Sequence, residues 1–375
     1  MYFDFRTWWR IAGLIAREPF RLRRALFLWG AFVGLSLLSV VNMICLVLDL
    51  LLFPRLRDQA VVKPIFIVGN GRSGTTHIHR ILSADGDRFS YFKTWELLLP
   101  SVLAHHLVDA LDAFDRRILG SWVRGRLQQR EDDALEEIRK LHDWQSTGSE
   151  EDDFVMFANW SSVSLTFPFP YPELEYLFWT DREPEAKRRR ILEFYKAMLQ
   201  RLLYCREREH IHCSKSPQFT LKMRGLLEQF PDARFIVMLR HPYETIPSLL
   251  DLMSQYWRAM GAPEERVGAS AELLGEIQIA QYRYAVEVVD QLPENQSIIV
   301  DFRDLLADPK RVVQGIYDRF GIEMTEAFDR FLEEEREAAR AFKSQHEYDS
   351  EGQGPARERV ARELADLFER FGWEI

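Results

Sequence analysis

The string IFIVGNGRSGTTHIHRIL, residues 65–82, restricts the possible folds more than any other part of this chain. Ile65-Phe66-Ile67-Val68 is a continuous apolar run bounded by Pro64 and Gly69, the pattern of a central strand in a parallel sheet. Gly69 to Gly74 turn the chain, and from Thr75 the apolar residues recur at helical spacing. Strand, glycine turn and helix in direct succession aim backbone N–H groups and the positive end of a helix at one point, which is an anion site. Gly69, Gly71 and Gly74 permit positive φ and close approach, Ser73, Thr75 and Thr76 offer hydroxyl donors, and Arg72 brings a cation. The plainer alternative is a glycine turn that holds no ligand.

A nucleoside-triphosphate loop carries a lysine directly after its last glycine, where it reaches the terminal phosphates. Here Thr75 stands in that place and the cation has moved into the loop as Arg72. An ATP-dependent kinase or NTPase is therefore the rival enzyme reading, and a nucleotide-binding membrane scaffold without catalysis is the rival outside enzymes.

The same architecture recurs along the chain. Pro231-Asp232 marks a turn, Arg234 to Leu239 reads as a strand, and a helix is predicted from Tyr243. Ser297 to Val300 reads as a further strand, followed by a polar turn and a helix from Pro309 to Phe320. Strands alternating with helices predict an α/β fold, a P-loop-like parallel β-sheet flanked by helices. Helical stretches run from Ser101 to Leu141 and from Glu185 to Cys205, separated by an aromatic, proline-rich segment from Phe154 to Trp179. Beyond Gln345 the apolar periodicity fades, and Gly352, Gly354 and Pro355 predict a loop before a last amphipathic helix.

Arg72-Ser73-Gly74-Thr75-Thr76 after an apolar strand resembles the 5′-phosphosulfate loop of sulfotransferases that use 3′-phosphoadenosine 5′-phosphosulfate (PAPS), most of all the branch holding tyrosylprotein sulfotransferases and many bacterial enzymes. The resemblance implies a second motif, a strand followed by Arg and, eight positions on, Ser, which holds the donor's 3′-phosphate. RFIVMLRHPYETIPS supplies Arg240 and Ser248 in that context. Lys215-Ser216-Pro217 is similar to the family element whose lysine approaches the transferring sulfate. Val300 to Leu306 resembles a strand-end pattern usually written Tyr-Glu-Asp-Leu, with Phe302 and Arg303 in place of the tyrosine and glutamate. FKSQHEYD, Phe342 to Asp349, resembles the loop that closes over the nucleotide, so Lys343 is expected to contact the donor. The implied donor-binding set is Gly71, Arg72, Ser73, Gly74, Thr75, Thr76, Arg240, Ser248 and Lys343, with PAPS as donor, PAP as product and no metal.

Sulfuryl transfer, like phosphoryl transfer, relies on positioning and on stabilising charge on the leaving oxygen, for which Arg72 and Lys215 are the candidate cations. The acceptor also needs a general base. Glu96, in FSYFKTWELLLP, lies where related enzymes place a carboxylate; His77, His79 and the Glu150–Asp153 run are the alternatives. That acidic run otherwise reads as a solvated face or helix cap.

From Leu26 to Leu48 no residue is charged, and as a helix this run is roughly 35 Å long, enough to cross a bilayer core. Arg17, Arg21, Arg23 and Arg24 precede it, with Trp8, Trp9 and Trp29 nearby. A membrane-associated segment at 1–60 and a sulfotransferase domain at 61–375 follow as expectations, with a buried core helix as the alternative. Ser36, Ser39 and Asn42 share one helical face and suit helix packing. The formal net charge of −9 argues against bulk nucleic-acid binding. The anchor and the aromatic segment together point to a hydrophobic or amphipathic alcohol as acceptor, with peptide or glycan acceptors as alternatives.

Overall fold

Five strands form one sheet in the computed structural model, which describes residues 2–118, 151–206, 210–341, 355 and 357–375. They are β1 (Ile65–Gly69), β2 (Phe89–Ser90), β3 (Ile211–Lys215), β4 (Arg234–Leu239) and β5 (Ser297–Asp301), in the order β2-β3-β1-β4-β5. All neighbours pair in parallel. The register sets Ile67 beside Lys215, Gly69 beside Met238, and Leu239 beside Asp301.

A parallel sheet covered on both faces needs apolar residues on both, and β1 divides its own side chains accordingly. Phe66 and Val68 enter one core with Tyr195, Phe219, Phe235 and Val237. Ile65 and Ile67 enter the other with Ile236, Met238, Val300, Ile316 and Leu332. Full burial of such a side chain contributes about 1.5–3 kcal/mol, so the central strand is held from both sides.

Before the sheet come α1 (Phe5–Arg17) and α2 (Leu22–Leu52). Between β1 and β3 lie α3 (Thr75–Ser83), α4 (Thr94–Leu98), α5 (Val102–Ile118) and α6 (Glu185–Tyr204). Then follow α7 (Met223–Gln229), α8 (Pro242–Ala259), α9 (Glu264–Val289), α10 (Phe302–Ala307), α11 (Pro309–Phe320), α12 (Glu326–Ala341), α13 (Arg357–Glu363) and α14 (Ala365–Phe371). α11 starts where Asp308 accepts from the Arg311 N–H at 3.0 Å and ends at Gly321, φ 60°. The turn expected after β5 is helical instead. Asp301 accepts from the Arg303 N–H at 2.8 Å, and α10 begins at once.

The aromatic segment after residue 153 forms short 3-10 turns rather than an open surface. Trp160, Phe169, Tyr171 and Leu174 are fully buried, so these side chains build the core instead of offering an acceptor platform. The packing also runs across the composition boundary near residue 60. Leu28, Phe32, Leu35 and Leu46 of α2 belong to the same core as Phe66.

α2 is longer than its uncharged stretch and is turned polar side inward. Its buried residues, Arg24, Leu28, Phe32, Leu35, Ser39, Asn42, Leu46 and Asp49, recur every three or four positions and face the rest of the protein. Ser39 receives the Trp160 indole N–H at 3.1 Å, and Asn42 donates to the Leu98 carbonyl at 2.8 Å. Asp49 accepts from Arg201 at 2.9 Å and from the Val102 and Leu103 N–H groups at the start of α5. The expected packing role of Ser39 and Asn42 is thus met by bonds to the body. A free-standing crossing is not what these bonds describe.

Candidate active site

The glycine turn sits at the C-terminal end of β1, flanked by the ends of β3 and β4, where open α/β sheets place their ligands. Two glycines there cannot be replaced without a clash. A Cβ on Gly69, φ +131°, would meet the Met238 carbonyl oxygen at 2.2 Å, and one on Gly74, φ +93°, would meet the Phe302 ring at 2.3 Å. Gly71, expected to share the positive φ, does not; Arg72 takes it instead, at 68°. A non-glycine residue in that region is strained, a cost associated with functional loops.

The loop is clipped from several sides. Thr220 Oγ1 accepts from the Gly69 N–H at 2.9 Å, and the Asn70 amide donates to the Gln278 backbone at 2.8 Å. Ser73, expected as an outward donor, is buried, and its hydroxyl donates to the Asn70 carbonyl at 2.7 Å. It therefore closes the loop rather than facing an anion. Thr75 and Thr76 open α3, whose first N–H groups have no carbonyl one turn back within the helix. These groups and the Gly71–Arg72 backbone are the donors left to meet an anion.

The two motifs converge. Arg72 Nε donates to Ser248 Oγ at 3.1 Å across 176 positions of sequence, and Arg240 Nη1 reaches the Arg72 carbonyl at 3.4 Å. Arg240 is held by Glu244, its Nε 2.7 Å from the carboxylate, and lies over the Phe302 ring at 4.7 Å. Phe302 thus packs against both Gly74 and Arg240, which explains an aromatic where the family pattern has tyrosine. The sequence carries that departure without showing its use; the signal is an aromatic at the end of a strand beside the glycine turn.

Lys215 ends β3 and is 1 % exposed. Its Nζ lies 4.0 Å from Glu151 Oε1, and the other Glu151 oxygen accepts from Gln218 Nε2. Glu151 retains 19 % side-chain exposure. Its neighbours in sequence are committed elsewhere and fully buried, contrary to a solvated face. Asp152 accepts from Tyr195 at 2.6 Å and pairs with His212 at 2.7 Å, while Asp153 pairs with Lys222 at 2.6 Å. Glu150 and Lys343 lie outside the described residues.

Glu96 is placed differently from the sequence expectation. At the third position of α4 it caps the start of the helix, accepting from the Lys93 N–H at 2.7 Å. Arg206 donates to both of its oxygens, at 3.0 and 3.1 Å, and only 1 % of Glu96 is exposed. A carboxylate so enclosed is bound to fixed donors rather than poised toward an incoming hydroxyl. Burial also changes the histidines. It lowers His77, and it drops His79 to about 3, with Lys215 pushing the same way. His79 Nε2 lies 3.1 Å from the Cys213 carbonyl oxygen, the contact of a neutral ring donating its proton.

Residues 64–326, more than half of the chain, match the sulfotransferase family. The chain is 28% identical over 330 residues to Omega-hydroxy-beta-dihydromenaquinone-9 sulfotransferase Stf3 of Mycobacterium bovis, covering 85% of this chain and 77% of that protein. The crystal structure of sulfotransferase STF9 from Mycobacterium avium is similar at a TM-score of 0.73 and 19% identity, covering 100% of this chain and 93% of that one. That of STF1 from Mycobacterium tuberculosis is similar at 0.68 and 20%, covering 96% and 92%. The family match includes the glycine turn, Lys215 and the Arg240–Ser248 pair, and the chain belongs to the sulfotransferase family.

Proposed function

We propose that the enzyme moves a sulfuryl group from PAPS to the hydroxyl of a hydrophobic, membrane-dissolved acceptor. The observation that carries the donor half is the convergence of Arg72 and Ser248, with Arg240 bonded to the same loop. Two cations and an N-terminal helix end at one crevice suit a ligand with anionic groups at both its 5′ and 3′ positions. A kinase reading lacks its lysine, since Thr75 occupies that place.

In this reading Arg72 and Lys215 stabilise charge on the phosphate oxygen as its bond to sulfur breaks. The acceptor oxygen forms the new bond to sulfur, PAP leaves, and the hydroxyl proton passes to a carboxylate. Glu151 is the carboxylate we assign to that task, because it stands beside Lys215 and keeps access to solvent, whereas Glu96 is enclosed by Lys93 and Arg206. The acceptor class rests on the exposed apolar face of α2 and on the name of the Stf3 relative, which acts on a hydroxylated menaquinone.

Calorimetry with PAP tests the donor assignment. Arg240→Ala and Arg72→Ala each remove a charge-assisted contact of about 1.5–3 kcal/mol and are expected to weaken PAP binding about ten- to a hundredfold. Unchanged affinity in a folded Arg240→Ala protein would remove the second motif from the site.

A further inference from the structure

We infer that α2 lies in the plane of an anionic membrane surface, with its apolar face in the lipid and the enzyme carried on its polar face, and does not cross the bilayer. The inference rests on the membrane association proposed above and adds its geometry and lipid chemistry.

Both ends of the helix are tied to the body of the protein. Arg24 is bonded to Glu18 at 3.2 Å and to the Met260 carbonyl of the body at 3.0 Å. Asp49, near the other end, is bonded to Arg201 at 2.9 Å. These anchors are 25 residues apart, about 37 Å along a helix, and a hydrocarbon core is only about 30 Å thick. A crossing would either break one anchor or drag the ion pair of Asp49 and Arg201 into lipid. Between the anchors, Ser39 and Asn42 are also bonded to the body. Polar groups that serve the body in this way leave the opposite face entirely apolar.

That opposite face is exposed along the whole helix, at Leu26, Val33, Leu37, Val40, Ile44 and Leu51. α5 starts against the end of α2 through Asp49 and presents its own exposed stripe at helical spacing, Leu107, Leu111, Phe114 and Ile118. A helix with one face bonded to protein and one apolar face outward is the arrangement of an interfacial helix. The flanks supply the charge: Arg17, Arg21, Arg23, Arg55 and Arg57 are all exposed, against one exposed carboxylate, Asp58. This local positive charge complements anionic headgroups, whereas a two-fold pairing with a second copy would set the same basic flanks against each other.

Two measurements on the full chain test this. In flotation with vesicles of phosphatidylcholine and phosphatidylglycerol, the wild type is expected to bind at low salt and more weakly at high salt or without the anionic lipid. Leu37→Glu/Ile44→Glu changes only the outward face. It should cut partitioning by more than about a hundredfold while circular dichroism and PAP affinity stay at wild-type levels. Cysteines placed at Arg17 and Arg57 should both react with an impermeant maleimide added to one side of sealed vesicles. Labelling of only one position means that the helix crosses, which overturns the in-plane geometry and leaves membrane association standing. If the double variant instead halves the mass in sedimentation, and wild type ignores vesicles, the face joins two copies and both the inference and the membrane reading fall. PAP binding is independent of either result.

Discussion

The proposed donor side and the proposed acceptor side of this site are assembled in opposite ways. On the donor side each functional group sits at the end of a strand within a short continuous string: β1 leads to Arg72 and Thr75, and β4 leads to Arg240 and Ser248. On the proposed acceptor side the groups come from separate stretches: Glu151 from the residue before the 3-10 turn Asp152–Met156 and the apolar face from α2, with Glu96 of α4 the rival carboxylate that the fold encloses. The first kind of site is written in local pattern, because a strand end and a helix start fix where the side chains go. The second depends on which side chains the fold brings together, so residue type alone does not separate a catalytic carboxylate from a structural one.

The comparison is tested hardest at the two glutamates. Glu151→Gln keeps the shape and removes the basic oxygen, so kcat is expected to fall by about 10²–10⁴-fold with PAP affinity within a fewfold of wild type. A Glu151→Gln enzyme that retains its rate removes the assignment. Glu96→Gln should behave in the reverse sense. It weakens the pairing with Arg206 and costs about 1–3 kcal/mol in chemical denaturation, while kcat stays within about tenfold. A loss of rate beyond a hundredfold without loss of stability would restore Glu96 as the base.

The smallest effect concerns His79, a rival base. Its ring is held near pKa 3 in the folded protein by burial, against about 6.5 when unfolded. The unfolded state therefore binds more protons between these values, so stability from this group is complete above pH 6.5 and is lost as pH falls. The expected loss is about 1.4 kcal/mol by pH 5.5. Nuclear magnetic resonance should find the imidazole neutral from pH 8 to pH 5; a ring that titrates near 6.5 would return His79 to consideration.

Sequence reading reached most of the fold. β4 and the helix from Pro309 to Phe320 have the expected bounds and β1 runs only one residue further, to Gly69, because continuous apolar runs and explicit caps such as Asp308 and Gly321 are local signals. It placed Gly74 in the glycine turn for the same reason, whereas Arg240 entered through the family resemblance. It missed that Ser73 bonds inward to Asn70, that Phe302 supports Arg240, and that Arg24 and Asp49 tie the two ends of α2 to the body. Each of these depends on a partner far away in sequence. A long uncharged stretch reads as a span until Arg24 and Asp49 are seen tied to the body at its two ends.

The central claim is transfer of sulfate from PAPS to a lipid alcohol, and the direct measurement uses sulfur-labelled PAPS with the full-length enzyme and a hydroxylated isoprenoid quinone in vesicles. The account predicts label appearing in the organic phase, dependent on enzyme and blocked by added PAP, with mass spectrometry finding one sulfate ester on the quinone's hydroxyl. Label confined to water-soluble acceptors would contradict the acceptor class. Turnover of ATP with magnesium that PAP does not inhibit, and no transfer from PAPS to any acceptor, would contradict the donor itself.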